Sequence, residues 1–326
     1  MCAKRIVKVD LGENYISFKD AFEEFIADKE LLNCAEPTII SYSRSYEYFI
    51  EFEFDGNDNR DINDENLKIF VQQWVASMQK QKMRTTTINH YLRDIRAFLY
   101  WCMHEDRRYI KNSFKIELIK GQEEKPKMFT DEEVEILAAK PHNVKDYVEW
   151  RTWAIVNWVL ATGNRAGTIC ELQLGDIDFS SKEITLRHTK SKKVQVAVLA
   201  DALEPILKEY IKKCRKGCSA NDWLFPSVTG EQLTLNALTH SFAKYCKERG
   251  VERTNIHGLR HFFATQWIRN GGRGEYLQRA LGHSTYDMTQ KYIKLVDADL
   301  KGDYDKFNPL SSMKRSASRK RKVHID

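Results

Sequence analysis

The 326-residue chain is long enough for two domains of ordinary size, and its seven cysteines are too scattered to form a disulfide framework. No apolar run approaches the roughly 20 residues that span a membrane, and early charged residues leave no stretch for a signal peptide, so we expect a cytoplasmic protein. The net charge of +6 arises wholly within residues 306–326, so a nucleic-acid-binding surface elsewhere requires segregated charge.

The first elements of the chain are predicted helices. After an extension over residues 1–16, residues 17–112 show helical periodicity throughout. Within residues 38–54 apolar side chains recur every three or four positions, and Pro37 suits the first turn of a helix. Residues 87–101 repeat this periodicity. We therefore predict a small all-helical N-terminal domain.

The charge of this helical domain is unevenly distributed. Residues 16–79 carry about −9 and residues 80–112 about +5. The basic part is either a solvated helix face or a surface that follows DNA phosphates, with short polar side chains that reach the DNA backbone or base edges. The candidate DNA-binding residues of the domain are Arg44, Lys80, Lys82, Arg84, Thr87, Asn89, Arg93 and Arg96.

A linker and a second domain follow. Residues 113–127 lack periodicity and end in Lys-Pro-Lys, which indicates a linker. Thr130 and Glu133 then have the spacing of a capping box, which marks the start of a helix. We place the second domain over residues 128–305.

The second domain mixes helices with a short hairpin. Residues 147–161 are apolar on all sides, which predicts a buried helix. Residues 183–187 and 194–199 have the pattern of two short strands, joined by a lysine-rich turn over residues 189–193. The predicted fold class is therefore mainly α with a small β-sheet.

The C-terminal tail, residues 306–326, is rich in serine, lysine and arginine and is expected to be disordered without a partner. A flexible DNA-binding arm, a solvated tail and a nuclear import signal all fit this composition.

Zinc-binding residue types also occur in the second domain, but without the two tight ligand pairs of a structural zinc site, so we predict no metal. The residues concerned are Cys214, Cys218, His240 and Cys246.

Groups suited to phosphoryl transfer recur along the second domain. Arg165 follows a glycine turn, and Lys190 lies in the turn between the strands. Each such residue taken singly is far more often a solvated or packing side chain than a catalytic one. The other candidates, in chain order, are His257, Arg260, His283 and Tyr292.

The ordered set of motifs resembles the signature of the tyrosine recombinase, or phage integrase, family. The resemblance covers residues 128–300 and extends more weakly over residues 17–105. It implies an N-terminal core-binding domain of SAM-like helical fold and a mixed α/β catalytic domain of the DNA breaking–rejoining fold. The motifs are Ala161-Thr-Gly-Asn-Arg165, Thr189-Lys190, His257-Gly-Leu-Arg260-His261, Leu281-Gly-His283 and Tyr292.

This resemblance implies a role for each arginine and for the tyrosine. Arg165 and Arg260 would clamp the non-bridging oxygens of a phosphodiester. Tyr292 would attack the phosphorus and leave a 3′-phosphotyrosine and a free 5′-hydroxyl, so bond energy is retained for rejoining without ATP, metal or other cofactor.

The resemblance also implies proton-transfer roles. Lys190 would protonate the leaving 5′-oxygen, with Lys192 and Lys193 as rivals for that task or as contacts to neighbouring DNA phosphates. His257 would assist proton transfer with Tyr292, and His283 would hydrogen-bond the phosphate.

The sequence departs from the family pattern at two positions. It also offers two alternative nucleophiles. Thr168 occupies a position that is often acidic in relatives, which leaves the support of Arg165 uncertain. Gln195 stands where an arginine is common. Tyr286 and Tyr304 are also near enough along the chain to act as nucleophile, but the spacing from His283 favours Tyr292.

The function implied by the resemblance is site-specific DNA recombination for integration or excision of a mobile genetic element. A Xer-type resolvase of chromosome or plasmid dimers, a type IB topoisomerase, a metal-dependent transposase and a catalytically silent DNA-binding protein are the alternatives. The expected partners are double-stranded recombination sites, further copies of the chain in a tetramer on DNA, and an accessory DNA-bending factor. Such a protein would associate with the nucleoid.

Overall fold

The computed structural model describes residues 16–121, 128–141, 145–187 and 194–296, without the side chains of residues 295 and 296. The chain divides into two compact units, Met1–Glu124 and Lys125–Asp326. This boundary falls inside the segment 113–127 that the sequence indicates as a linker. Each unit encloses its own apolar cluster within the described residues.

Four helices build the described part of the first unit. Ser17 caps the first helix, because its hydroxyl accepts a hydrogen bond from the Asp20 backbone N–H at 3.0 Å. Pro37 lies in the first turn of the second helix, as its fixed φ favours. The helices are α1 (Phe18–Leu31), α2 (Glu36–Phe54), α3 (Leu67–Lys80) and α4 (Thr85–Met103).

Aromatic rings fill the space between these helices. Phe22 of α1 stacks on Tyr46 of α2 with ring centroids 3.9 Å apart, and Phe98 of α4 meets Phe22 edge to face. Large rings bury much apolar area with few rotatable bonds, so they form a compact core in a small unit. The all-helical character expected for residues 17–112 is seen in this arrangement.

The chain after α4 continues to pack on the first unit as far as it is described. Ile116 is buried. The side-chain amide of Asn89 donates to the Ile119 carbonyl and accepts from the Ile119 N–H, both at 2.9 Å. Residues 113–121 thus belong to the first unit, without helix or strand. The Asn89 amide therefore has a structural role in the first unit, and its contact with DNA stays a prediction.

The second unit surrounds one buried helix. Helix α6 (Tyr147–Thr162) is capped by Asp146 and is buried on nearly all sides, as its composition predicts. The helix ends at Gly163, whose φ of 65° lies in the left-handed region. A Cβ at this position would lie 2.4 Å from Phe263 Cδ1, so only glycine fits the turn.

The other helices of the second unit enclose α6 and a small sheet. The predicted capping box of Thr130 and Glu133 is present at the start of the first of them. A short 3-10 helix spans Leu174–Asp176. The described helices besides α6 are α5 (Asp131–Ala138), α7 (Ala166–Cys170), α8 (Glu204–Cys214), α9 (Leu235–Glu248), α10 (His257–Arg269), α11 (Gly274–Leu281) and α12 (Tyr286–Val296).

The sheet has three antiparallel strands in the order β1-β2-β3. Strands β2 (Glu183–Leu186) and β3 (Gln195–Val198) match the two predicted strands within one residue at each end. Strand β1 (Ile177–Asp178) was not predicted, since two residues carry no alternation. The prediction of a mainly helical fold with a small sheet is confirmed. No described helix combines the length and apolar character needed to cross a membrane.

Candidate active site

Two arginines meet at the end of helix α11. Arg260, on α10, is buried and donates to the Gly163 carbonyl at 2.7 Å and to the Leu281 carbonyl at 3.0 Å. Arg165, the N-cap residue of α7, donates to the same Leu281 carbonyl over a longer 3.4 Å. The glycine turn after α6 and the end of α11 therefore bring the two guanidinium groups together.

Among the residues that the structure describes, this arginine pair lacks an acidic partner. Within the described part of the chain, neither guanidinium forms an ion pair with a carboxylate. Burial and, to a smaller extent, the charge of Arg165 lower the pKa of Arg260 to about 10, whereas Tyr292 opposes the shift. Arg260 is still protonated at neutral pH. Two close, uncompensated cations form a site for an anion.

Tyr292 lies on α12 beside this pair. Its side chain is buried, and its hydroxyl lies 2.8 Å from His261 Nδ1. Burial raises the pKa of the phenol, while Arg260 and Arg165 oppose that shift. The hydroxyl is therefore held as a neutral phenol that already has a hydrogen-bond partner in the site.

His283 follows the left-handed Gly282 that ends α11. Its ring is parallel to that of Tyr292, with centroids 6.2 Å apart, and its Nδ1 lies 2.8 Å from the fully buried Thr289 hydroxyl. Burial, with Arg260 and Arg165, lowers the pKa of His283 to about 4. The ring is thus neutral at pH 7 and its other nitrogen remains for a ligand.

His257 and His261 lie one turn apart on α10. Their rings meet edge to face with centroids 4.6 Å apart. Of the two, the structure places His261 at the Tyr292 hydroxyl. The role predicted for His257 in proton transfer with Tyr292 stays a prediction. The sequence motif gives His261 no predicted role, and its position directly after Arg260 is the signal that points to the site.

A family comparison places this arrangement among known proteins. The model of the phage integrase family matches residues 127–298, which is more than half of the chain. The chain belongs to this family. The match confirms the resemblance that the motifs indicated, and it spans both arginines, His283 and Tyr292.

Named relatives extend the similarity over the N-terminal unit. The chain is 27% identical over 320 residues to tyrosine recombinase XerA of Saccharolobus solfataricus, covering 94% of this chain and 99% of that protein. It is 26% identical over 252 residues to tyrosine recombinase XerD of Chlamydia trachomatis, covering 76% of this chain and 82% of that protein.

Solved structures show the same fold. The Tn1549 transposon integrase in complex with transposon right end DNA gives a TM-score of 0.67 at 18% identity, covering 88% of this chain and 99% of that one. The XerH recombinase bound to palindromic difH substrate gives a TM-score of 0.63 at 21% identity, covering 85% of this chain and 83% of that one. The family fold thus includes both units of this chain.

The two departures from the family pattern have different surroundings. Arg165 is held by the carbonyls of Leu281 and Gly282, and no hydrogen bond from the Thr168 side chain to Arg165 is present among the described residues. Gln195, the first residue of β3, donates to the Arg279 carbonyl at 2.5 Å. A Cβ built on Gly282 would lie 3.0 Å from Gln195 Oε1 and 3.9 Å from Arg165 Nη1. The Gln195 side chain therefore anchors β3 to the end of α11, next to the arginine pair.

The C-terminal end of β2 is also held by a side-chain hydrogen bond. Arg187 Nε donates to Asp176 Oδ1 at 2.5 Å, and the buried Asp176 also accepts from the Gln173 N–H. The turn beyond it carries Lys190, Lys192 and Lys193, which lie outside the described residues. Their predicted roles remain predictions.

The two alternative nucleophiles differ in their surroundings from Tyr292. Tyr304 lies outside the described residues. Tyr286 is the first residue of α12, and its side chain is exposed.

The candidate DNA-binding residues of the first unit occupy several helices. Arg44 on α2, Arg93 on α4 and the residues between α3 and α4 are exposed, whereas Thr87 and Arg96 are half-buried. The exposed ones at the α3–α4 connection are Lys80, Lys82 and Arg84. Exposure of these side chains permits contact with DNA, and their predicted role stays a prediction.

The structure also bears on metal binding. Among the described residues, no cluster of His, Cys, Asp and Glu could hold a metal ion, and this includes Cys214, Cys218, His240 and Cys246.

Proposed function

We propose that this chain is a tyrosine recombinase that cleaves and rejoins DNA at specific sites through a 3′-phosphotyrosine intermediate. The observation that carries the proposal is the hydroxyl of Tyr292 in one site with two guanidinium groups that have no carboxylate partner in the described part of the chain. Membership of the phage integrase family and the tyrosine recombinases similar to it over most of their length support the same conclusion.

The proposed reaction uses the arginine pair as the anion site. Arg165 and Arg260 bind the non-bridging oxygens of the scissile phosphate and stabilise the charge that develops there. Tyr292 Oη forms the bond to phosphorus while the bond to the 5′-oxygen breaks. Lys190 donates the proton to that oxygen, and His283 donates a hydrogen bond to the phosphate. Rejoining is the same sequence in reverse.

A tyrosine substitution tests this chemistry. Tyr292→Phe removes the attacking oxygen and leaves the ring in place, so we expect no covalent adduct with DNA and unchanged noncovalent binding. The matched control, Tyr286→Phe, changes another tyrosine of α12 and is expected to form the adduct normally. The measurement is the denaturant-resistant protein–DNA complex formed on nicked duplexes that trap the intermediate. Normal adduct formation by Tyr292→Phe would remove Tyr292 from its role.

We propose integration or excision of a mobile element as the biological process. Xer-type resolution of DNA dimers is a second candidate, favoured by the alignment with a protein named XerA across 99% of that protein's length. Sequencing the DNA covalently trapped by the protein in its host separates the two. Trapped ends of a mobile element support integration, whereas one chromosomal or plasmid locus supports resolution.

The assembly on DNA is part of the proposal. We propose that two copies bind each recombination site, that a tetramer joins two sites, and that an accessory factor bends the DNA on the nucleoid. Light scattering of the protein with one full site and with two sites held together measures the number of bound copies. A single copy per full site would contradict the tetramer.

A further inference from the structure

The Tyr292 hydroxyl has one close polar partner among the described residues, and it is a histidine. Tyr292 Oη lies 2.8 Å from His261 Nδ1, and the two rings are tilted by 43° with centroids 5.6 Å apart. This is ordinary hydrogen-bond distance between a phenol and an imidazole nitrogen. The contact joins α12, which carries the nucleophile, to α10, which carries Arg260.

The surroundings of His261 allow the phenol to donate this hydrogen bond. Burial and the neighbouring charge of Arg260 lower the pKa of the His261 ring below its usual value. A neutral imidazole has one nitrogen that accepts a proton. Burial also raises the pKa of Tyr292, so the phenol keeps its proton at neutral pH. The tyrosine hydroxyl can therefore donate, and His261 Nδ1 accepts in the tautomer that carries the ring proton on Nε2.

The groups that face this pair are cationic or neutral. His257 meets His261 from the preceding turn of α10, and Arg260 adjoins it on the same helix. Arg165, from the start of α7, and His283, which follows α11, act on Tyr292 from the other elements. No carboxylate is recorded among the groups that shift the pKa of either residue in the described site. Of these groups, His261 alone contacts the hydroxyl.

We propose that His261 is the general base that removes the proton from Tyr292 during DNA cleavage. The proposal rests on the function proposed above and adds a catalytic residue to it. As Tyr292 Oη bonds to phosphorus, its proton moves to His261 Nδ1, and the bond between phosphorus and the 5′-oxygen breaks. The 5′-oxygen takes its proton from Lys190. During rejoining His261 returns its proton to the departing Tyr292 oxygen.

The position of the arginine pair explains why a base is needed at this oxygen. Arg165 and Arg260 favour the phenolate by their charge, but burial outweighs them and keeps the phenol protonated. A base within hydrogen-bond distance removes that proton as the new bond forms. His261 Nδ1, at 2.8 Å from Tyr292 Oη, satisfies the distance requirement.

The first test is the rate of a single cleavage turnover with saturating protein on nicked recombination-site DNA. His261→Asn places a side-chain oxygen near the former Nδ1, so it can accept the hydrogen bond but not the proton. We expect the cleavage rate constant to fall about 100-fold or more, as for loss of a general base, while noncovalent binding stays unchanged. The matched control is His240→Asn, at an exposed histidine of α9, which should leave both quantities unchanged.

The pH profile separates base catalysis from a packing role. In the wild type the rate should rise with pH through the lowered pKa of His261 and then level off below neutral pH. In His261→Asn it should keep rising above neutral pH, because attack then depends on spontaneous ionisation of the phenol. Imidazole added to His261→Ala should restore part of the rate.

Several outcomes would overturn the proposal. Cleavage by His261→Asn at the wild-type rate, or faster, would show that the contact only holds Tyr292 in a resting position. Parallel pH profiles, or no effect of imidazole on a His261→Ala protein that binds DNA normally, would show a packing role. These results differ from failure of the proposed function, in which the wild-type protein itself forms no adduct.

Discussion

Thr289 offers a direct test of how His283 is held. Its fully buried hydroxyl lies 2.8 Å from His283 Nδ1, which leaves the other ring nitrogen for the phosphate. Thr289→Val keeps the branched shape and removes the hydroxyl. We expect roughly fivefold slower cleavage with DNA binding retained, since the loss of an orienting hydrogen bond costs about 1 kcal/mol. Thr289→Ser should recover much of the rate, and equal rates for Val and Ser would contradict an orienting role.

His283 also predicts a pH dependence of stability. Its pKa is about 4 in the folded protein and about 6.5 in an unfolded chain. Between these values the unfolded state binds more protons, so the free energy of unfolding falls as pH falls from about 6.5 towards 4. His283→Gln cannot take up this proton. We expect the Tm difference between pH 7 and pH 5 to be smaller in the variant, and an unchanged difference would contradict the assignment.

The site was predictable from sequence in part. The motifs identified Arg165, Arg260, His283 and Tyr292, and the structure brings these four together because the ends of α6 and α11 meet near α10. Which histidine touches Tyr292 was not predictable. His257 and His261 share one face of α10, and only the packing of α12 on that helix decides between them.

At the scale of elements, a side-chain hydrogen bond anchors each strand of the β2–β3 hairpin next to the turn. Arg187, directly after β2, donates to Asp176, and Gln195 donates from β3. Gln195 fastens β3 to the end of α11, whose carbonyls also hold both arginines. Gln195→Leu keeps the bulk and removes the amide. We expect a loss of stability of no more than about 1 kcal/mol and clearly slower DNA cleavage, because the arginine pair loses a support. Chemical denaturation and single-turnover cleavage measure the two effects.

The control for this prediction lies on the same strand. Val196 is on the exposed outer face of β3, so Val196→Thr should change neither cleavage nor stability noticeably. Equal effects of Gln195→Leu and Val196→Thr on cleavage would show that the amide has no special role.

Element boundaries were predictable where periodicity is strong. Strands β2 and β3 alternate in their burial and were found from sequence, whereas β1 has two residues and depends on pairing with β2. Residues 113–121 lack periodicity, and the sequence therefore predicts a linker there. Their attachment to α4 through Asn89 is a long-range pairing that no local pattern encodes.

At the scale of the whole molecule, the two units and the tail differ in charge. Apart from residues 306–326 the chain is formally neutral, so any DNA-binding surface of the units depends on how charge is arranged. The tail has seven basic residues and one acid. A flexible cationic arm binds DNA phosphates without reading sequence, and its contribution to affinity depends strongly on salt.

This difference predicts a specific salt effect. We expect that replacing the six basic residues between positions 314 and 322 by glutamine weakens DNA binding at low salt. It should also make the slope of log affinity against log salt shallower, by up to about 5 if each residue contacts a phosphate. The relative preference for the recombination site over other DNA should rise, because a nonspecific contribution is lost. As a control, replacing Ser311, Ser312, Ser316 and Ser318 by alanine keeps every charge. An unchanged slope in the glutamine variant would indicate a solvated tail.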